Sequence, residues 1–195
     1  MHGLINCAIQ SFVSDTYGAQ KWLEVTREAD LDFVEFEAML MYDDQLTDTI
    51  LDASAKLLER PRIDVMEDIG TYLVSNPKVE SLRRLLRFGG VNFTDFLHSL
   101  DELPDRARLA VSDLNLPRLE VREQNCSHFT LDCESPIEGY GYVLMGVLRT
   151  MADDYGALAL LEHRGGGLGR ETIDITLVET EFAAGRSFEL GVPQS

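Results

Sequence analysis

The chain has 195 residues, which is enough for one compact domain and leaves little room for a second. Apolar residues make up 45% of it and charged residues 26%, so it can form a hydrophobic core and does not have the composition of a disordered protein. Its formal net charge of -17 repels phosphate backbones and anionic lipid headgroups. We therefore expect neither a nucleic acid nor a membrane as a partner.

The three cysteines, Cys7, Cys126 and Cys133, are an odd number without C-x-x-C spacing. This argues against a disulfide framework and favours a reducing compartment. No apolar run in the sequence reaches the roughly 20 residues that span a bilayer. The opening residues MHGLINCAIQSF have neither the basic leader nor the cleavage site of a signal peptide. These features predict a cytoplasmic location.

Apolar residues in the first half of the chain recur at helical spacing, and prolines and glycines separate the segments. The predicted helices cover residues 4–12, 22–25, 44–58, 63–74, 79–88 and 93–103. Asp44 is expected to cap the third helix, and Asn92 or Thr94 the sixth. The sixth helix runs into Pro104, whose ring fixes φ and removes an N–H, so we expect the helix to end there.

Beyond Pro104 the pattern changes to the alternation of half-buried strands. Strands are predicted at residues 117–121, 128–133, 158–162 and 172–179, with one helix at 139–155. Residues 123–125 are expected to form the turn of the first hairpin. The glycine-rich stretch 165–169 lacks the G-K-[ST] ending of a phosphate-binding loop and lies between two strands, so we interpret it as a flexible hairpin loop.

Together these elements predict a single α+β domain over residues 1–180. Its helical N-terminal lobe is expected to end near residue 112. The second lobe, residues 113–180, is expected to combine a small antiparallel sheet with one long helix. Residues 181–195 are predicted to be a loose C-terminal tail.

Residues that could serve an enzyme or a metal site occur only singly. The four histidines are never spaced at i, i+3 or i+4, so a zinc site is not indicated. We therefore do not expect an enzyme. An enzyme that uses Ser54, His98 or Asp43 in a cleft stays as an alternative of a different class.

Several short segments occur together in an order that is typical of one known family. They are the opening MHGLIN, Asp15–Gly18 with Trp22, the Tyr42–Asp44 turn, VNFTDFL ahead of LDEL, LPRL around Pro117, and the helix that contains Gly146. In this order they resemble the heme nitric oxide/oxygen binding (H-NOX) domain. That family includes the sensor domain of soluble guanylate cyclase and bacterial stand-alone gas sensors. The resemblance covers about residues 1–180.

The resemblance implies a fold that holds heme b between the helical lobe and the sheet lobe. A histidine on the helix before the sheet would ligate the iron, and a Y-x-S-x-R motif would hold the propionates. It also implies a signalling partner such as a histidine kinase, a nucleotide cyclase, a diguanylate cyclase or a chemotaxis receptor. The family's pocket positions fall on Ile5, Pro104, Pro117, Cys133, Ser135, Ile137 and Val143 of this sequence.

This sequence departs from the family pattern at the positions of the heme ligands. The proximal histidine of the family falls on Pro104, which has no lone pair for a metal. In the propionate motif only Ser135 remains, because Cys133 replaces the tyrosine and Ile137 replaces the arginine. Without that arginine the two propionates lose their bidentate counter-charge. Pro117, by contrast, matches the proline that packs against the heme in the family.

Other side chains could replace the missing ligand or complete the distal wall. His98 is the first substitute for the iron ligand, although it lies about 240° around a helix from Pro104. His128 and Cys133 are further candidates. The distal tyrosine of the family falls on Val143 when the count starts at Gly146, and one residue earlier, on Tyr142, when it starts at Ser135.

Three functions follow from this departure. The first is a sensory or regulatory domain that does not hold heme in the usual way and acts on a protein partner, with its lobes moving about residues 104–117. The second is a heme-based NO or O2 sensor with a non-standard iron ligand. The third is a domain that binds another small apolar ligand between the lobes.

Overall fold

The computed structural model describes residues 1–167, 169–180, 182, 183 and 185. The predicted C-terminal tail therefore lies largely outside the described residues. The helices are α1 Gly3–Tyr17, α2 Ala19–Glu28, α3 Asp44–Leu57, α4 Arg62–Ser75, α5 Glu80–Arg87, α6 Phe93–His98, α7 Leu103–Ala110 and α8 Tyr140–Tyr155. Short 3-10 turns at Pro77–Val79 and Leu100–Glu102 precede α5 and α7. The strands are β1 Arg118–Asn125, β2 His128–Glu134, β3 Leu158–His163 and β4 Arg170–Glu179.

The four strands form one antiparallel sheet in the order β1-β2-β4-β3. Helix α8 connects β2 to β3 and packs against both the sheet and α4. The α+β architecture expected from the sequence is thereby confirmed. The boundary between two lobes near residue 112 stays a prediction.

The first hairpin turns later than the sequence indicates. Strand β1 continues through the predicted turn to Asn125, with an irregularity in its register between Glu123 and Asn125. The side-chain oxygen of Asn125 accepts hydrogen bonds from the backbone N–H and the hydroxyl of Ser127, each at 3.0 Å. This local bonding closes the turn at Cys126 and Ser127, which explains why the expected turn at residues 123–125 was wrong.

Two helix ends differ from the expectation. Asp43, not Asp44, caps α3, because its Oδ1 accepts the N–H of Gln45 at 2.9 Å. Asn92 does cap α6, through a 2.8 Å bond from the N–H of Asp95. The expected end of a helix at Pro104 is wrong, since this residue lies in the first turn of α7. A proline fits there because the first turn has no use for its missing N–H.

Buried side chains form two hydrophobic clusters on either side of α8. The sheet cluster joins α5, α6 and α7 to the inner face of the sheet, with Phe96, Phe129 and Met151 at 0–1% exposure. The helical cluster joins α1 to α4 and includes Val143 of α8 and the preceding Ile137. Helix α8 therefore contributes to both cores, so a change in its position would alter the packing of each.

Helices α4 and α8 cross with their backbones in contact. A Cβ added to Gly146 would lie 2.0 Å from the carbonyl oxygen of Glu67, and one added to Gly70 would lie 2.0 Å from that of Val143. Only glycine allows this close approach. Where α4 and α8 cross, no space remains between them for a ligand.

Within the described part of the chain, no helix has both the length and the apolar character that crossing a bilayer requires.

Candidate functional site

A cavity of about 400 Å³ lies where α1, the segment after α7 and the turn between β2 and α8 meet. Four of the seven pocket positions expected from the sequence line it: Ile5, Pro117, Ser135 and Ile137. They come from distant parts of the chain, so the fold brings them together at one place. The volume is within the range of about 300–1,000 Å³ that is common for ligand pockets.

The other three expected positions do not line this cavity. Cys133 is 1% exposed and belongs to the sheet cluster, while Val143 is 7% exposed and belongs to the helical cluster. Pro104 is buried in the first turn of α7. The seven expected residues are therefore divided between the cavity and the cores that surround it.

The turn that precedes α8 uses its own polar groups. The hydroxyl oxygen of Ser135 accepts the N–H of Ile137 at 3.0 Å, and the N–H of Ser135 donates to the carbonyl oxygen of Gly169 at 2.8 Å. The Ile137 side chain is 5% exposed and packs in the helical cluster. This turn presents an aliphatic side chain, that of Ile137, to the cavity.

The charged groups of the cavity are mainly acidic. Asp44, Asp113 and Glu134 line it, and among the described residues of its lining there is neither a lysine nor an arginine. Asp44 is paired with the amino group of Met1 at 2.6 Å. Asp113 and Glu134 form no ion pair with any residue that the structure describes. These carboxylates would repel the two propionates of heme b, so the lining does not fit that group.

The alternative iron ligands lie away from the cavity. The His98 side chain is 47% exposed, its Nε2 is 3.1 Å from Glu123 Oε2, and its ring packs edge-on against Phe129. His128 is exposed and bonds to Asn125 beside it. Neither histidine lines the cavity.

Cys133 is a protonated thiol at neutral pH. Burial raises its pKa to about 12, and the neighbouring carboxylate of Glu171 acts in the same direction. Because the thiolate is the form that binds metals, this residue is a poor iron ligand. Within the described residues, no cluster of three or more histidines, cysteines, aspartates or glutamates could hold a metal ion.

The cavity also has two polar side chains that the sequence analysis did not single out. His2 is 2% exposed, and its Nδ1 accepts the N–H of Leu4 at 3.2 Å as the cap of α1. Its Nε2 is buried without a hydrogen-bond partner. Tyr140 lines the cavity as well, and its hydroxyl has no partner among the described residues. Burial raises the pKa of Tyr140, so the phenol keeps its proton.

A second polar arrangement, also missed from the sequence, lies at the start of α8. The Glu171 carboxylate accepts the N–H groups of Gly139 and Gly141 at 2.9 and 3.1 Å. His163 Nε2 lies 2.7 Å from Glu171 Oε2, and Tyr142 stacks on the His163 ring at 4.2 Å. A carboxylate of this chain thus occupies the anion-binding end of the helix.

The residues of the alternative enzyme are not brought together. Ser54 is fully buried in α3 and donates its hydroxyl to the carbonyl oxygen of Ile50 at 2.6 Å. His98 lies on the surface beside Glu123, and Asp43 caps α3. These three side chains share no cleft and no hydrogen bond.

The comparisons with known proteins agree with this fold. The family model described as Haem-NO-binding (HNOB) matches residues 2–162, so the chain belongs to that family. Its H-NOX domains are sensor domains and not catalytic ones. The Fe(II) unliganded H-NOX protein from K. algicida has the same fold, with a TM-score of 0.79 at 15% identity over 92% of this chain and 97% of that one. An H-NOX protein from S. oneidensis in the Fe(II)NO state gives 0.74 at 18% identity, over 91% and 99%.

The similar curated proteins are guanylate cyclases. Soluble guanylate cyclase gcy-31 of Caenorhabditis elegans is 23% identical over 154 residues, which are 79% of this chain and 22% of that protein. Soluble guanylate cyclase 89Da of Drosophila melanogaster is 21% identical over 160 residues, which are 82% and 24%. The chain therefore spans less than a quarter of the length of these relatives.

Proposed function

We propose that this chain is an H-NOX sensory or regulatory domain that does not hold heme b in the manner of its family and acts on a protein partner. The observation that carries the proposal is the charge of the cavity. Asp113 and Glu134 face the space where propionates would need cations, and Ile137 stands in place of the expected arginine. The amino group of Met1 also lies at the cavity but is already paired with Asp44, so two further anionic groups would be desolvated there without a cation of their own, which is unfavourable.

The position of Pro104 supports the same proposal. We take it as the residue that replaces the proximal histidine, and its ring nitrogen is part of the backbone amide. The other candidates for an iron ligand do not line the cavity: His98 and His128 bond to their own neighbours, and Cys133 is buried in the sheet cluster. Iron would therefore lack both its axial ligand and the cations that hold its porphyrin.

The partner is proposed to be a signalling enzyme in the cytoplasm. The relatives named as guanylate cyclases favour a nucleotide cyclase. A histidine kinase and a diguanylate cyclase are the other partners expected for the family. The signal would pass through residues 104–117, because this segment includes all of α7 except its first residue and ends at the cavity, where Pro117 is part of the wall.

A hemin titration of the purified protein tests this proposal. We expect no Soret band of an axially ligated heme and no saturation at one hemin per chain. Pro104→His combined with Ile137→Arg returns the imidazole and the cation, and this variant is expected to gain Soret absorption that the natural chain lacks. His98→Ala serves as the control and is expected to change neither spectrum. Saturation of the unaltered chain at one hemin, with a ligated spectrum, would contradict the proposal.

A further inference from the structure

We infer that the cavity between α1 and the turn before α8 binds an uncharged, largely apolar molecule that has one hydrogen-bond acceptor, which Tyr140 recognises through its hydroxyl. The inference rests on the proposed function in one respect, namely that heme does not fill this space. It goes further because it names the chemical class of the occupant and the residues that select it.

The first argument is the pair of unused donors. The Tyr140 hydroxyl has no hydrogen-bond partner among the described residues, although the side chain packs against both hydrophobic clusters. His2 Nε2 is a second donor without a partner, and unlike the Tyr140 hydroxyl it is fully buried. Since His2 Nδ1 accepts the N–H of Leu4, the neutral ring carries its proton on Nε2. Tyr140 is only partly buried and lines the cavity, so its unpaired hydroxyl can donate to an acceptor on the occupant. A buried donor that stays unpaired is costly, so His2 Nε2 is a second group that such an acceptor would satisfy.

The protonation of His2 also excludes one kind of occupant. A histidine that binds a metal through Nε2 needs a lone pair there and commonly donates from Nδ1. Here Nδ1 accepts a hydrogen bond, so Nε2 is a donor and not a metal ligand. The cavity therefore selects for an organic acceptor group and against a metal ion at this residue.

The rest of the lining defines the body and charge of the occupant. Ile5, Leu116, Pro117 and Ile137 provide an apolar surface from three separate segments. The rim carboxylates, Asp113 and Glu134 among them, repel an anion. An uncharged molecule with an apolar body meets both conditions, whereas a fatty acid or another carboxylate meets only the first.

The cavity can also adjust to what it holds. Met1 and Met41 line it, and the flexible methionine side chain fills irregular space without a fixed shape. Met41 is 61% exposed, so it can move without disturbing a core. The wall formed by Ile5 and Pro117 then stays in place while the methionines adapt to the occupant.

Four probes that share one ring system test this inference. The apolar indane, the ketone 1-indanone, the amine 1-aminoindane and the anion indane-2-carboxylate are titrated into the full chain, and binding is followed by amide chemical shifts. We expect 1-indanone to bind about fivefold more tightly than indane, the gain of one hydrogen bond to the Tyr140 hydroxyl. The carboxylate is expected to bind weakest.

Variants assign the preference to its donor. Tyr140→Phe keeps the ring and removes the hydroxyl, so 1-indanone and indane should then bind equally well. Tyr142→Phe is the matched control, because it makes the same change in the same helix at a residue outside the cavity lining. It should leave the preference for the ketone unchanged. His2→Asn, which keeps a side chain able to cap α1, should reduce the preference only in part.

The outcomes separate this inference from the proposed function. Equal binding of 1-indanone and indane by the unaltered chain would overturn the inference, as would a preference that survives in Tyr140→Phe. Tighter binding of 1-aminoindane than of 1-indanone would overturn it too, since the rim carboxylates would then select the ligand. Each of these results would leave the absence of hemin binding intact, whereas stoichiometric hemin binding would contradict the proposed function whatever the probes show.

Discussion

We propose that Pro104 and Ile137 each replace a residue type whose chemistry the neighbouring side chains do not supply. A proline nitrogen in an amide has no lone pair for iron, and an isoleucine has no charge for a carboxylate. Around them the local structure is satisfied: the proline starts α7, and the isoleucine packs in the helical cluster. Both residues are therefore compatible with the fold, and we propose that they remove the means to hold heme.

At the same scale, the three thiols differ sharply in their surroundings. Cys126 is exposed, whereas Cys133 is buried and Cys7 is partly buried with its Sγ 3.2 Å from the carbonyl oxygen of Phe36. Burial raises the pKa of Cys7, and that of Cys133 to about 12.

We therefore predict that one thiol reacts quickly with a disulfide reagent in the native protein and all three react in denaturant. The thiolate is the reactive species, so an exposed thiol reacts first. Absorbance of the released aromatic thiolate measures the equivalents, and Cys126→Ser should remove the fast phase. Two fast equivalents in the native chain would show that a second thiol is more accessible than its surroundings indicate.

Among the helices, α8 has backbone N–H groups at its start that are capped by a carboxylate from strand β4. Glu171 of β4 is 8% exposed and accepts two N–H groups at the start of this helix. This bonding is worth more than a surface ion pair, because the carboxylate is buried and placed at the positive end of the helix dipole.

We predict that Glu171→Gln lowers the free energy of unfolding by about 1–3 kcal/mol. The amide has one acceptor oxygen and turns a donor toward the remaining N–H, so one helix donor is left unpaired. Urea unfolding followed by circular dichroism measures the change. Glu179→Gln, an exposed substitution on the same strand, is the control and should cost little. A loss no larger than that of the control would show that α8 does not need this cap.

The crossing of α4 and α8 is the second feature at this scale. Gly146→Ala would place a methyl group against the backbone of α4, so the helices must separate. We predict a destabilisation of about 1–3 kcal/mol, typical of an overpacked core, measured as a shift in the urea midpoint. Gly167→Ala is the control, since an added Cβ there meets nothing within 4 Å. Equal urea midpoints for the two variants would mean that α4 and α8 have room for a methyl group where they cross.

For the molecule as a whole, the sequence predicts the α+β architecture because the two kinds of periodicity are clear. The strands alternate, and the helices have apolar faces at a spacing of three and four residues. The sequence did not predict the late turn at Cys126 or the cap at Asp43. Each depends on a hydrogen bond from a side chain to a nearby backbone N–H. Several adjacent polar residues could have made the same bond, so the sequence alone does not identify the one that does.

The candidate site was predictable only in part. The resemblance to the family led to Ile5, Pro117, Ser135 and Ile137, which line one cavity. It gave no indication of Tyr140 or His2, because an unpaired donor is visible only when all neighbours are in place. The same limit applies to the contact of Glu171 with the start of α8, which joins residues about 30 positions apart in the chain.

The whole molecule combines an H-NOX fold with a strongly acidic charge. The chain keeps the architecture of a heme sensor, while the net charge of -17 and the carboxylates of the cavity oppose a dianionic porphyrin. A regulatory domain of this kind would respond to a ligand other than a gas on iron. We propose that the partner would then receive its signal through residues 104–117 from a different stimulus.

The most direct test is the heme content of the chain purified from cells that are supplied with a heme precursor. The pyridine hemochrome assay gives the heme-to-protein ratio, and a heme-binding H-NOX protein prepared in parallel shows that supply is sufficient. We predict a ratio near zero and colourless protein. A ratio close to one, with the Soret band of an axially ligated heme, would contradict it.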